Sequence, residues 1–64
     1  MFDELDSVVL KRANANVPLP VGSVGTIVYV YGAHPPIYEV EFTDRKGTTI
    51  GVHTVKEEDL AVEG

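Results

Sequence analysis

Residues Val24–Tyr31 read Val-Gly-Thr-Ile-Val-Tyr-Val-Tyr, a run in which every residue but the glycine is β-branched or aromatic. Branching at Cβ crowds the preceding turn of a helix and fits the open pleat of a sheet, so this run is a strand. One strand has no stability alone, and three or more sharing an apolar face are needed. The rest of the chain must therefore supply its partners, and it has only 64 residues in which to do so. That is room for a single domain, 1–64, with a thin core and short connections. There is no cysteine, so no disulfide or thiolate-bound metal can staple the fold. An apolar fraction of 44% is too high for a disordered tail.

Strand candidates recur on both sides of that run. Asp6–Lys11 reads as a first strand, with Val8 and Leu10 on one face, Val9 on the other, and Leu5 closing the core just before it. Arg12–Ser23 is a long irregular segment whose Pro18 and Pro20 forbid a helix and disfavour a central strand. Loops of that length in a compact domain are often functional or packed on themselves. Within Val24–Tyr31, strict alternation sets Val24, Thr26, Val28 and Val30 against Ile27, Tyr29 and Tyr31. Gly25 reads as a bend or bulge able to turn Ile27 inward.

Pro35 and Pro36 make Gly32–Pro36 a loop. In Ile37–Thr43, Tyr38, Val40 and Phe42 face one way and Glu39 and Glu41 the other. Asp44-Arg45-Lys46-Gly47 is a hairpin turn with Gly47 suited to a left-handed position. Thr48–Val55 is a fourth strand, Lys56–Asp59 a tight 3₁₀ turn, and Leu60–Val62 a short fifth strand. The expected core is Val8, Leu10, Val24, Val28, Val30, Tyr38, Val40, Phe42, Ile50, Val52, Leu60 and Val62. The fold class is all-β: a small five-stranded SH3-like barrel with one 3₁₀ turn before the last strand. Curling into a barrel is how so short a sheet best removes its edges. An OB-fold wants a helix between its third and fourth strands, and Asp44–Gly47 leaves no room for one.

Four stretches carry a resemblance. Val21-Gly22-Ser23-Val24-Gly25-Thr26-Ile27-Val28 is similar to the glycine run that opens several SH3-like barrels, among them KOW-type translation and transcription modules and the nitrile hydratase β-subunit barrel. Together with Phe2-Asp3-Glu4-Leu5-Asp6, Tyr38-Glu39-Val40-Glu41-Phe42 and Glu58-Asp59-Leu60, it resembles a family of short stand-alone bacterial proteins of unknown function, frequent in cyanobacteria. The resemblance spans nearly the whole chain and implies a fold rather than an activity. The family's genes often lie beside other small genes, which implies a partner protein or a toxin–antitoxin role. His34-Pro35-Pro36 departs from the polar, glycine-rich turn of that family, so a function on this loop belongs to this chain alone.

The residues exclude more than they assign. Gly22 and Gly25 lack the lysine and following helix of a phosphate-binding loop, and are explained by a tight turn into a strand. His34 and His53 have no third ligand in sight, so no metal site is expected. Ser7 and Ser23 stand in no nucleophile motif, and so small a domain has few buried pockets in which to tune its carboxylates. We expect neither an enzyme nor a cofactor. Ten acidic side chains against five basic ones give a net charge of −5. That field repels a polyanion, and Lys11–Arg12 and Arg45–Lys46 are too small to make a nucleic-acid patch. No segment approaches the length of a bilayer span, and Met1–Asp6 lacks the basic start of a signal peptide, so the default location is cytoplasmic.

What remains is surface. Tyr29 and Tyr31 point outward on one strand, and exposed aromatics are enriched at protein interfaces. Pro35, Pro36 and Ile37 extend that patch, and Glu39 and Glu41 rim it with negative charge. The expected function is a non-enzymatic protein-binding module with a basic protein partner, its narrower form an antitoxin or other partner of a neighbouring small protein. Two alternatives stay open: a KOW-like RNA- or ribosome-associated module, and a structural subunit or homodimer.

Overall fold

The computed structural model describes all residues, 1–64. It contains β1 (Ser7–Leu10), β2 (Val24–Tyr31), β3 (Ile37–Thr43), β4 (Thr49–Lys56), a 3₁₀ turn (Glu57–Asp59) and β5 (Leu60–Val62). The strands form one antiparallel sheet in the order β4-β3-β2-β1-β5. The all-β class, the strand number and the 3₁₀ turn before the last strand are as the sequence predicts.

Local chemistry sets the connections. At the β3–β4 hairpin, the Asp44 carboxylate accepts the backbone N–H groups of Lys46 (2.8 Å) and Thr48 (3.0 Å). Gly47 takes a left-handed φ of 81° there, where a Cβ would be strained. Gly25 serves a different need from the bend expected of it. A Cβ at this position would lie 2.6 Å from Val40 Cγ1 and 2.9 Å from the Glu41 carbonyl oxygen, so the glycine lets β2 and β3 close on each other. The irregularity in β2 comes later: pairing skips from Ile27↔Val40 to Tyr29↔Glu39, leaving Val28 as the extra residue of a β-bulge.

The core is Val8, Leu10, Val17, Ile27, Tyr38, Val40, Phe42, Val55 and Leu60, with Phe2, Leu19 and Val30 packed against it. Several expected core positions are corrected. The bulge puts Gly25 and Ile27 inside ahead of it and Val30 behind it, so Val28 faces solvent and Val24 is only half-buried. In β4 the two faces are exchanged. Gly51, His53 and Val55 lie opposite the inward Phe42, Val40 and Tyr38, so Val52 points out, and Ile50, the extra residue of a second bulge between Thr49 and Gly51, is exposed as well. Three large side chains from β3 fill the interior, so their partners on β4 can be a glycine, a flat ring and a valine. The His53 ring packs on Phe42 at 6.1 Å. Val62, at the end of the chain's last strand, is exposed. Leu5 does not close the core. It sits in a turn at φ 72° with its side chain in solvent, and Phe2 packs edge-on against Tyr38 in its place.

The long Arg12–Ser23 segment is packed rather than free. Its ends are tied where Leu10 N–H bonds Ser23 O (2.9 Å) and Gly22 N–H bonds Leu10 O (2.7 Å). Val17 enters the core, and Asn14 Nδ2 donates to the buried Asp59 carboxylate at 2.8 Å. That bond joins the loop to the 3₁₀ turn and partners a charge that would otherwise be buried alone.

Candidate functional site: the outer face of the sheet

Alternation along β2, β3 and β4 builds a second face opposite the core. Its cross-strand rows are Tyr31–Ile37–Lys56, Tyr29–Glu39–Thr54 and Thr26–Glu41–Val52. Tyr29 and Tyr31 stack edge to face, with ring centroids 4.9 Å apart and planes at 72°. They remain 52% and 41% exposed. Aromatic rings held against each other lose little freedom when a partner covers them, which favours their use in an interface.

The two glutamates are oriented, not loose. Glu39 accepts a hydrogen bond from the Thr54 hydroxyl, and Glu41 Oε2 accepts one from Thr49 Oγ1 at 3.0 Å. Both donors stand on β4, and Glu39 also neighbours the Tyr31 hydroxyl on β2. The Tyr31 hydroxyl has its pKa raised, first by partial loss of solvent on the sheet, then by the charge of Glu39 and a hydrogen bond to it. It stays a neutral donor through the physiological range.

The structure thus brings Tyr29, Tyr31, Ile37, Glu39 and Glu41 onto one surface. Pro35 and Pro36 lie at its end, where with His34 and Ile37 they form one side of an open cleft of about 440 Å³ that Lys56 and Glu57 border on the other. Glu57 is held there by Tyr38, whose hydroxyl donates to its carboxylate and accepts the Phe2 N–H at 2.9 Å. The hydroxyl's donation holds the Glu57 carboxyl below its usual range, helped by the chain's amino group 3.4 Å away. Sequence reasoning missed three members of the outer face: Val28, Ile50 and Val52. Ile50 and Val52 are 46% and 52% exposed. The signal for Val52 was the register: residues paired across an antiparallel ladder share a face, so the partner of Glu41 must point out with it. Val28 and Ile50 are the unpaired residues of two bulges, which alternation does not mark.

No helix is long and apolar enough to cross a membrane. No three His, Asp or Glu side chains converge as metal ligands would. Residues 4–62 match the model of a family described as a domain of unknown function, DUF4926. No curated protein and no solved structure matches the chain.

Proposed function

The chain belongs to this family of unknown function, DUF4926, and we propose that it is a non-enzymatic protein-binding module that engages a basic partner through the outer face of β2, β3 and β4. The observation that carries the reading is the stacked, half-exposed pair Tyr29 and Tyr31 beside two oriented carboxylates. Apolar area with a negative rim recognises a partner of opposite charge and steers its approach. The net charge of −5 acts in the same direction and against RNA. The narrower form of the reading has the partner as a small basic protein encoded beside it, as for an antitoxin. A cytoplasmic, SH3-like bacterial module would suit that role.

The test is affinity capture from the organism that encodes the chain, with the wild-type domain and a Tyr29→Ala, Tyr31→Ala variant as baits. A stoichiometric basic protein retained by the first bait and lost from the second supports the reading. Identical capture by both baits rules the face out.

A further inference from the structure

We propose that β4 is an open docking edge, and that the partner binds by adding an extended, lysine- or arginine-bearing segment to it as a sixth strand. This rests on the protein-binding reading above and names the way the partner is held.

The two ends of the sheet are unlike. β5 is three residues long, a short edge that offers little to pair with. β4 is eight residues long, is paired only with β3, and contains no proline. Its single charged residue, Lys56, is its last. Natural sheets blunt such edges with charge, proline or a bulge, because each leaves a row of unpaired N–H and C=O groups. β4 has a bulge only at its start, at Ile50, where pairing skips from Thr43↔Thr49 to Phe42↔Gly51, and Gly51–Lys56 beyond it pairs regularly. Here the outward side chains of the edge, Ile50 and Val52, are half-exposed aliphatics. A groove of about 480 Å³ runs beside it, walled by Val52, His53, Thr54 and Lys56 on the strand and by Asn14 and Asn16 on the long loop. Extended segments dock to edges of this kind through main-chain hydrogen bonds, with alternate side chains setting specificity.

Charge selects the occupant. Glu39 and Glu41 are bonded to Thr54 and Thr49, with Glu39 also beside the Tyr31 hydroxyl on β2, so each carboxylate has a contact on the edge strand itself. A strand laid on β4 would set its outward side chains next to Val52 and Thr54, and a lysine or arginine there reaches back across β4 to those carboxylates. A second copy of the chain brings another −5 to the same place and is disfavoured.

The probe is a capped octapeptide of alternating lysine and valine, with its glutamate–valine counterpart as control. Both are titrated at low salt into the isotopically labelled full chain, followed by amide NMR shifts and hydrogen exchange. The proposal expects shifts centred on Thr49–Lys56 and on Asn14 and Asn16, with new protection of β4 amides. It expects the glutamate peptide to bind on the order of tenfold more weakly or not at all. Val52→Lys, an exposed substitution that leaves the core untouched, should weaken the lysine peptide, as should Glu39→Gln with Glu41→Gln. Shifts confined to Tyr29 and Tyr31 with β4 silent would overturn strand addition and leave the outer-face reading standing. Equal binding of both peptides would overturn the charge selection. No shift at millimolar peptide would overturn the proposal, while the capture experiment still judges the face. Self-association along β4 without peptide would assign the edge to a second copy instead.

Discussion

Tyr31 and Tyr38 stand on adjacent strands, one residue out of register, and their rings end on opposite faces of the same sheet. Tyr38 is fully buried, its hydroxyl bonded to Glu57 and to the Phe2 amide. Tyr31 lies half in solvent against Tyr29. The same side chain closes the fold on one face and is left over on the other. On the inner face no buried side-chain polar atom lacks a partner. The outer face keeps aliphatic and aromatic area that folding does not use. Where a small domain has little surface to spare for its own core, apolar side chains left outside are the place to look for a partner.

The contrast breaks most visibly by truncation. Phe42→Ala removes a fully buried ring from the inner face and should cost about 3–5 kcal/mol. A chain of this length has roughly 3–10 kcal/mol in total, so the variant should lose about a third of its stability or more, read as a much lower urea midpoint at 25 °C. Val52→Ala, on the outer face of the neighbouring strand, should stay within about 0.5 kcal/mol of wild type. Comparable losses at both positions would erase the distinction between the faces.

Gly25→Ala tests the close approach of β2 to β3. Its Cβ would meet backbone as well as the Val40 side chain, so the sheet must shift, at a cost of about 1–3 kcal/mol. Ordinary stability for this variant would show that the strands are not pressed together there.

A smaller effect follows from Glu57. The Tyr38 hydroxyl holds its carboxyl below the usual range, so the folded state favours the ionised form. The stability this adds is complete above the ordinary carboxylate range and is lost as pH falls through the lowered folded value. Glu57→Gln should be less stable than wild type at neutral pH, and the two should converge in acid. Parallel stability–pH curves would remove Glu57 from the lock on Tyr38.

Smallest is Leu5, exposed and held at φ 72°. A left-handed leucine costs about 1–2 kcal/mol, and asparagine tolerates the region better. Leu5→Asn should therefore gain about 0.5–1 kcal/mol, read as a higher urea midpoint with an unchanged slope.

The elements were legible in the sequence and the faces only in part. Val24–Tyr31 and Ile37–Thr43 could be bounded from β-branched density, alternation and flanking proline, and the Asp44–Gly47 turn from its residues. Period-two alternation divides a strand into two sets without saying which set is inside. In Ile37–Thr43 the division was unambiguous, because one set is Tyr38, Val40 and Phe42 and the other is acidic. In β4 the more apolar set, Ile50 and Val52, lies outside, because the large β3 side chains already fill the space opposite Gly51 and His53. The bulge at Val28 shifts the phase in mid-strand, and no glycine or proline marks it. Val17 and the Asn14–Asp59 bond join residues far apart in sequence, which local pattern does not encode. At the outer face, Tyr29, Tyr31, Glu39 and Glu41 were readable from alternation, whereas the β4 edge needed the register.

The most direct test of the account is tyrosine nitration followed by mass spectrometry, on the free chain and on the chain with its captured partner. The account predicts modification of Tyr29 and Tyr31 in the free chain with Tyr38 spared, and protection of both outer tyrosines once the partner is bound. Nitration of Tyr38 at a comparable rate, or outer tyrosines equally reactive in the complex, would contradict it.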